Sequence, residues 1–335
     1  MTVETARQVG AGTAVDIFAR RHRLRWVEAL PWIVAVAAYF VFPDYLALGA
    51  QVLATILFAL SLDLILGYAG IVTLGHAALF GTGAYAAGLL AAHGWGEPVS
   101  GLIIAAGVAA LVGFLSGAVL LRAQGLTLLM VTLVVAAMLY EAANKAAGIT
   151  GGADGLTGMN VWPVLGFQFD LYGITAYWYS LAVLFVCWIA ARAIVHSPFG
   201  RSLTGIRENE RRMHAIGSPV YWRRLMIYTI AAAMAGAAGA LIAQTTGFVG
   251  LDVLDPINRS GEILIMLILG GVGRLYGAFI GVPVYMILKD QFAEIDPVYW
   301  YFWIGLLLVL VVVFARGGAL GVAERLAARF ARRAR

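Results

Sequence analysis

Two ionisable side chains, Asp63 and His76, lie inside long apolar stretches of the sequence, and the hydroxyl of Thr73 is close by. A carboxylate within an apolar segment is costly unless it is paired, hydrated or protonated, so Asp63 is a candidate for a functional site. Asp63 could instead lie near the end of its segment and meet water or a cation such as Arg122. His76 and Thr73 could line a pathway, or His76 could be a hydrogen-bonded packing residue. The sequence leaves both interpretations open for each residue.

Glycine is concentrated around these residues. Glycines 67, 70, 75, 81 and 83 fall within 17 residues, and the stretch 269–278 is weakly similar to 66–77. Glycine costs about 1 kcal/mol in a helix interior relative to Ala, so the cluster predicts a broken helix with exposed backbone groups. Paired interruptions are typical of a transport pathway, but glycine also permits close helix packing. The candidate residues of a translocation path are Asp63, Gly70, Thr73, Gly75, His76, Gly270, Gly271 and Gly273.

Motifs that would define an enzyme are absent from the sequence. No G-x-x-x-x-G-K-[ST] phosphate loop occurs, since Lys145 and Lys289, the two lysines, follow Asn and Leu rather than Gly. There is no G-x-S-x-G motif, and no Cys/His set has metal-ligand spacing. Cys187, the single cysteine, lies in an apolar run and cannot form a disulfide within the chain. No catalytic residue is therefore assigned, and a membrane-embedded enzyme is disfavoured.

The composition is that of a membrane protein with many spans. The chain has 335 residues, of which 62% are hydrophobic and 12% charged, against about 25% charged residues in soluble domains. Eighteen of the 23 basic residues lie in three blocks, before residue 26, between 192 and 224, and after 315. Basic residues accumulate on the cytoplasmic side of membrane segments, so both termini and the central block are predicted to be cytoplasmic. This pattern argues against nucleic-acid binding and for contact with lipid headgroups.

An all-α, polytopic bundle of the inner membrane is predicted. Cytoplasmic termini and a cytoplasmic 196–222 loop require an even number of crossings on each side of that loop. Ten spans satisfy this condition, and eight would do so if the two short segments 258–271 and 274–290 were broken or re-entrant. The predicted spans are 31–48, 50–67, 70–92, 99–121, 125–144, 176–195, 223–246, 258–271, 274–290 and 298–315.

The spans divide the chain into three regions. Residues 1–30 form a basic cytoplasmic segment, 31–317 a transmembrane domain, and 318–335 a basic amphipathic tail on the membrane surface. No secretory signal is expected in the Arg-rich first 25 residues. Residues 145–175 are predicted to form a loop on the outer side. That loop opens with a turn-rich stretch containing Thr150, Gly151, Gly152 and Asp154.

The cytoplasmic loop 196–222 has an amphipathic pattern. Pro198 and Gly200 would end the preceding helix. A short helix over 200–217 would then place apolar residues on one face, and it could lie on lipid or dock into a groove of a partner. The apolar face would consist of Leu203, Ile206, Met213 and Ile216.

Several stretches together resemble permeases of the branched-chain amino-acid family of bacterial ABC importers. Ser197–Glu210 resembles the family's SPFGRAL-AIRENE, and Gly67–Tyr85 resembles GYAGQLSLGHAAFFGIGAY. Gln124–Leu133, Thr150–Leu156 and Leu269–Gly277 are similar to RGLYLAMVTLAF, TGGSDGL and LGGLGSLWGP. The matches run in order from about residue 50 to 317. The better match is to the second permease type, which has a longer outer loop.

The resemblance implies a transport subunit rather than an enzyme. Permeases of this family pair with a sister permease as a heterodimer, sit on two cytoplasmic ATPase subunits and receive substrate from a periplasmic binding protein. ATP and Mg would be bound by the ATPase subunits, with no cofactor in this chain. The 200–217 helix would be the coupling helix on the ATPase. The ATPase-coupling residues implied are Gly200, Arg201, Ile206, Arg207, Glu208, Asn209 and Glu210.

Departures from the family pattern leave the substrate open. Ile71 replaces a Gln, Thr73 and Ala153 replace Ser, and Asp63 replaces an Asn. Leucine, isoleucine and valine or other hydrophobic amino acids are the first expectation. Small carboxylates, urea or short amides carried by the same mechanism are the alternatives. A transporter driven by an ion gradient, with Asp63 as the coupling group, is a further alternative, because neither mechanism needs a phosphate loop in this chain.

Overall fold

The computed structural model describes residues 29–164, 166–170 and 173–314, with Gly318 and Gly321. Regular structure in these residues is helical, apart from two isolated β-bridges. The predicted all-α class is therefore confirmed. Nearly all of the basic tail and of the basic N-terminal segment lies outside the described residues.

The chain divides into two units between Phe42 and Pro43. The described part of the first unit is one apolar helix, α1 (Leu30–Val41). Phe42 leaves the helical region, with φ −125° and ψ 63°. The ring of Pro43 disfavours a helical residue before it, and Pro43 has no N–H to donate. The span predicted over 31–48 is therefore wrong beyond residue 41.

The second unit begins at Pro43, and eleven helices of six residues or more are described in it. A single π-helical turn, Leu64–Tyr68, follows the first of them, and a short helical turn, Ala147–Thr150, lies in the loop predicted to be outer. Short 3₁₀ turns lie at Pro43–Tyr45, Gly152–Asp154 and Leu251–Leu254. The helices are α2 (Leu46–Asp63), α3 (His76–Ala92), α4 (Pro98–Leu120), α5 (Gly125–Lys145), α6 (Ile174–His196), α7 (Pro198–Glu208), α8 (Glu210–Ala215), α9 (Val220–Thr246), α10 (Asn258–Gly270), α11 (Gly277–Ile295) and α12 (Trp300–Phe314).

Each of the ten predicted spans overlaps mainly with one described helix, which is α1 in the first unit and α2–α6 or α9–α12 in the second. Five helices are long and apolar enough to cross a membrane by length and composition, and α1, α3 and α12 are shorter apolar helices. The chain is thus a multi-pass membrane protein, while the number of crossings and the side of the termini stay predictions. The five are Pro43–Tyr68 (α2 together with the short helical turns at its two ends), Pro98–Leu120, Gly125–Lys145, Ile174–His196 and Val220–Thr246.

The core of the second unit is formed by α9 packed against α2, α3 and α4. Small residues bring the helix backbones together, because a Cβ on Gly239 would lie 2.8 Å from the backbone nitrogen of Ala84. Gly83 and Gly236 make a similar contact. Lipid tails are as apolar as leucine, so close packing of this kind is a main source of helix association in membranes. By contrast, α5 is only 17% buried over its most apolar window, as a helix facing lipid would be.

Candidate functional site at a junction of two helix breaks

The first helix break follows α2. Ala69–Gly75 is not helical, and α3 begins only at His76. Gly70 has φ +69°, a left-handed conformation that favours glycine. The break predicted from the glycine cluster is present, but the span predicted to begin at residue 70 starts six residues later.

The second break separates α10 from α11 and lies against the first. Gly271 and Gly273 have φ of +118° and +78°. A Cβ on Gly67 would stand 2.6 Å from the nitrogen and 2.7 Å from the Cα of Gly273. The two similar glycine-rich stretches therefore touch, and they touch because Gly67 has no side chain. We call this contact the junction, formed by Asp63, Gly67, Gly70, Arg207 and Gly273.

Asp63 is the buried acid of the junction. Its side chain is 0% exposed, and Oδ1 accepts a hydrogen bond of 2.6 Å from the N–H of Gly273. The charge of Arg207 faces it from α7. Arg122, the cation suggested by the sequence, lies exposed in the turn after α4 instead. The carboxylate thus holds the second break against the end of α2 and has a cation to balance it.

Arg207 joins α7 to both breaks. Its Nη1 donates a hydrogen bond to the carbonyl oxygen of Gly67. The same nitrogen lies 3.1 Å from the point where a Cβ of Gly273 would stand. Its stem passes Gly70, where a Cβ would lie 2.9 Å from Cγ of Arg207. A displacement of α7 therefore acts on both breaks at once.

The apolar face of α7 packs on the chain itself. Ser197 caps the helix by accepting a hydrogen bond of 3.2 Å from the N–H of Gly200, which is buried. Leu203 and Ile206 are each 1% exposed, and α7 packs against α6 and α9. Ile206, one of the predicted coupling residues, therefore faces the bundle and anchors α7 to it, and its coupling role stays a prediction.

The single helix predicted over 200–217 is also wrong. Asn209 ends α7 with φ −156° and ψ 96°, and its side chain accepts a hydrogen bond of 3.0 Å from the N–H of Arg212 at the start of α8. Ile216 is 69% exposed and does not continue the buried face. Among the predicted coupling residues, Glu210 pairs with Arg224 at 3.0 Å. The coupling residues at the surface are Arg201, Arg207, Glu208 and Asn209, and Arg207 also reaches the junction.

His76 is a buried packing residue. It is 0% exposed, its Nε2 lies 2.8 Å from the Oγ of Ser61, and its ring stacks on Phe58 with 5.3 Å between centroids. This arrangement fits the hydrogen-bonded packing interpretation of the sequence. His76 therefore links the first residue of α3 to α2 across the first break.

Hydroxyl groups satisfy the backbone donors at the start of α3. The Oγ1 of Thr73 accepts from the N–H of Gly75 at 3.0 Å, and the Oγ of Ser260 accepts from the N–H of Ala77 at 3.1 Å. A Cβ on Gly75 would lie 2.6 Å from the carbonyl oxygen of Thr132. Thr73 and Gly75 therefore serve capping and close packing here. The same holds for Gly270, whose missing Cβ lets the backbone of Gly281 approach.

The turn-rich stretch after α5 is held by Thr150. Its Oγ1 donates to the carbonyl oxygens of Ala143 and Ala146 at 2.5 and 2.9 Å. Gly151 and Gly152 have φ of +78° and +56°. Asp154 is exposed, and a β-bridge between Leu156 and Val249 ties the stretch to the segment after α9. These residues shape the loop and are not part of the junction.

Two polar features of the structure were not predicted from the sequence. A cavity of about 560 Å³ lies between the loop after α5 and the ends of α2, α6 and α9, lined by Gln51, Asn160 and Asp170 among others. The second is a charged cluster of Arg259, Glu262 and Lys289 on α10 and α11. Both carried a signal, because amides and charges inside apolar stretches are rare and costly.

Comparisons with known proteins find similarity to membrane transport permeases. The high-affinity branched-chain amino acid transport system permease protein LivM of Salmonella typhimurium is 27% identical over 322 residues, covering 86% of this chain and 73% of the relative. LivM of Escherichia coli is 26% identical over 79% of this chain and 67% of the relative. The probable branched-chain amino acid transport permease protein LivM of Methanocaldococcus jannaschii is 26% identical over 69% of this chain and 76% of the relative. No solved structure shows a significant match.

The family match covers most of the chain. The family described as branched-chain amino acid transport system / permease component matches residues 45–312, from the start of α2 almost to the end of α12. That range includes both helix breaks, α7 and the junction between them. The protein therefore belongs to the family of branched-chain amino acid transport system permease components.

Proposed function

We propose that this chain is one of two membrane subunits of an ATP-driven importer of branched-chain or other hydrophobic amino acids. It would form the translocation path with a sister permease in a bacterial inner membrane, with both termini in the cytoplasm. Two ATPase subunits would bind ATP and Mg, and a periplasmic binding protein would deliver the substrate. The family and its LivM members support the transport role. The partners and the orientation are part of the proposal.

The observation that carries the proposal is the double attachment of α7. Arg201 and Glu208 lie at the surface of α7, where another subunit can contact them, while Arg207 of the same helix bonds to Gly67 at the junction. The helix between these contacts is held against the bundle by buried Leu203 and Ile206. α7 is therefore built to carry a displacement from its surface to the two helix breaks.

The coupling step follows from this geometry. Approach of the two ATPase subunits would push α7, and Arg207 would pull on the carbonyl group of Gly67. Because Asp63 bonds to the N–H of Gly273, the first and second breaks would shift together. Helices α2, α3, α10 and α11 meet at these breaks, so a small shift there changes their tilt. This is a two-state element that ATP binding could bias toward opening on one side.

The test separates contact with the ATPase from transmission of its motion. Glu208→Ala should weaken co-purification of the ATPase and lower substrate-stimulated ATP hydrolysis several-fold. Arg207→Ala should leave the ATPase bound but reduce uptake per ATP hydrolysed, because it breaks the link to Gly67. Glu141→Ala, which changes an exposed glutamate on α5 paired with Lys145, serves as the control. Unchanged stimulation and uptake in both α7 variants, reconstituted in vesicles, would remove the coupling assignment.

The ion-gradient alternative gains no support from the geometry of Asp63. A coupling carboxylate has to exchange its ion with water, whereas Asp63 is fully buried and bonded to Gly273 beside Arg207. Its role in the proposal is to hold the two breaks together.

A further inference from the structure

A charged cluster lies between α10 and α11, away from the junction. The Nζ of Lys289 donates a hydrogen bond of 2.7 Å to the Oε1 of Glu262. The Nη1 of Arg259 lies 3.7 Å from the Oε2 of the same carboxylate. Two cations thus share one carboxylate, which is only 11% exposed. The cluster is short of negative charge.

Arg259 is the incompletely satisfied member of the cluster. Its Nε is buried without a hydrogen-bond partner among the described residues. Its guanidinium lies 5.6 Å from the centroid of the Phe80 ring, and its contact with Glu262 is too long for a hydrogen bond. Buried donors in folded proteins nearly always have an acceptor. An arginine with five donors in this position therefore indicates that an acceptor group binds here.

The neighbouring acid does not supply that acceptor. The Oδ1 of Asp255 accepts hydrogen bonds of 2.9 Å from the N–H groups of Ile257 and Asn258, and Oδ2 accepts from the side chain of Asn258. Asp255 thus caps the start of α10. Arg259 follows in the first turn, where the helix dipole adds to the attraction for an anion.

The cluster lies between two helices of the bundle, at a distance from the second break. Glu262 lies eight residues before Gly270, the last residue of α10, which corresponds to about 12 Å along the helix at 1.5 Å per residue. Arg259 and Lys289 fall within the predicted spans 258–271 and 274–290. Their side chains are 27% and 35% exposed. Charged side chains in membrane segments face water or another protein group rather than lipid tails.

We propose that Arg259 and Lys289 bind the carboxylate group of the substrate as it passes along the path. The inference rests on the proposed transport function and adds a site to it. A guanidinium and an ammonium group on adjacent helices can each donate to one carboxylate oxygen. Glu262 positions both cations and keeps them from attracting the substrate too strongly to release it. The site selects for amino acids and other small carboxylates over urea and short amides.

The test uses the complete complex in nanodiscs without the binding protein. Binding of leucine is compared with binding of leucinamide, which has the same side chain and ammonium group but no carboxylate. We expect leucine to bind and leucinamide to bind at least about tenfold more weakly. Arg259→Gln and Lys289→Gln should each weaken leucine binding about tenfold, as loss of a hydrogen bond to a charged group would. Lys145→Gln, which changes the other lysine, should have no effect.

Arg259→Lys controls for misfolding as the cause of weaker leucine binding. It keeps the positive charge and should retain part of the leucine binding. Equal binding of leucinamide, or unchanged leucine binding in both Gln variants, would overturn the proposal. Loss of the sister permease on purification of the variants would assign the cations to a partner carboxylate, and loss of bound anionic lipid alone would assign them to a lipid phosphate. Either result overturns it. ATP-dependent uptake by the wild-type complex tests the transport function separately.

Discussion

Gly67→Ala tests whether the junction depends on direct contact of two backbones. The added Cβ would lie 2.6 Å from the nitrogen and 2.7 Å from the Cα of Gly273, and it would also reach the carboxylate of Asp63. An ordinary contact needs at least 3.4 Å, so the breaks would have to separate by roughly 0.8 Å. The bond of 2.6 Å between Asp63 and Gly273 would be stretched by a similar amount.

Two costs follow from that separation. Overpacking of a close contact costs about 1–3 kcal/mol, and loss of a hydrogen bond to a charged group costs about 1.5–3 kcal/mol. If the two breaks move apart to relieve the close contact, the hydrogen bond between Asp63 and Gly273 is lost. The two costs are therefore largely alternatives and do not add. We therefore expect Gly67→Ala to destabilise the protein by about 2 kcal/mol and to lower uptake more than ten-fold.

The assay compares thermal unfolding in detergent and uptake in vesicles with a matched control. Gly107→Ala is also a glycine-to-alanine change in a helix, but no atom lies within 4 Å of the added Cβ. It should be neutral or stabilise α4 by up to about 1 kcal/mol. Gly67→Ala behaving like Gly107→Ala in both measurements would refute the backbone-contact argument.

Two further changes test other parts of the site. Asp63→Asn should keep uptake within about threefold of wild type, because the amide oxygen can still accept a hydrogen bond from the N–H of Gly273. Asp63→Ala leaves that N–H without an acceptor and should lower uptake more than tenfold. Loss of transport in Asp63→Asn would instead favour a charge-dependent, ion-driven role. Thr150→Val removes the hydroxyl that bonds to two carbonyl groups of α5 and its connection. It should destabilise the loop by about 1–2 kcal/mol and speed its limited proteolysis, whereas exposed Thr157→Val should not.

Local sequence signals predicted most of the helices. Apolar runs located a helix in each of the ten predicted spans, and the density of glycine located the break after α2. The stop at Pro43 was also visible, because proline restricts the residue before it. Asn209 followed by Glu210 carried the signal of a helix start, since asparagine is a preferred N-cap. The amphipathic pattern across 200–217 outweighed that signal and produced a helix that is too long.

The junction could not be predicted in the same way. Asp63 and Gly273 are 210 residues apart, and nothing near either residue specifies the other. Arg207 was predicted to be an ATPase-coupling residue because the family resemblance implied a coupling helix over 200–217. In the structure its guanidinium reaches inward to Gly67, since a long side chain can bridge to a backbone group that the broken helix leaves unbonded. The cluster around Arg259 was overlooked because its three residues are divided between two short segments.

The close contacts between glycines have a consequence for what shared sequence means in this family. At Gly67, Gly75 and Gly239 a side chain of any size would collide with backbone atoms, so substitution is blocked whatever the cargo. Homologues with quite different specificities should therefore keep these glycines, because helix packing requires them. A shared glycine-rich motif then indicates a shared fold and does not indicate a shared substrate. Divergence in specificity should accumulate elsewhere, at polar positions that no backbone contact constrains, such as Arg259 and Lys289.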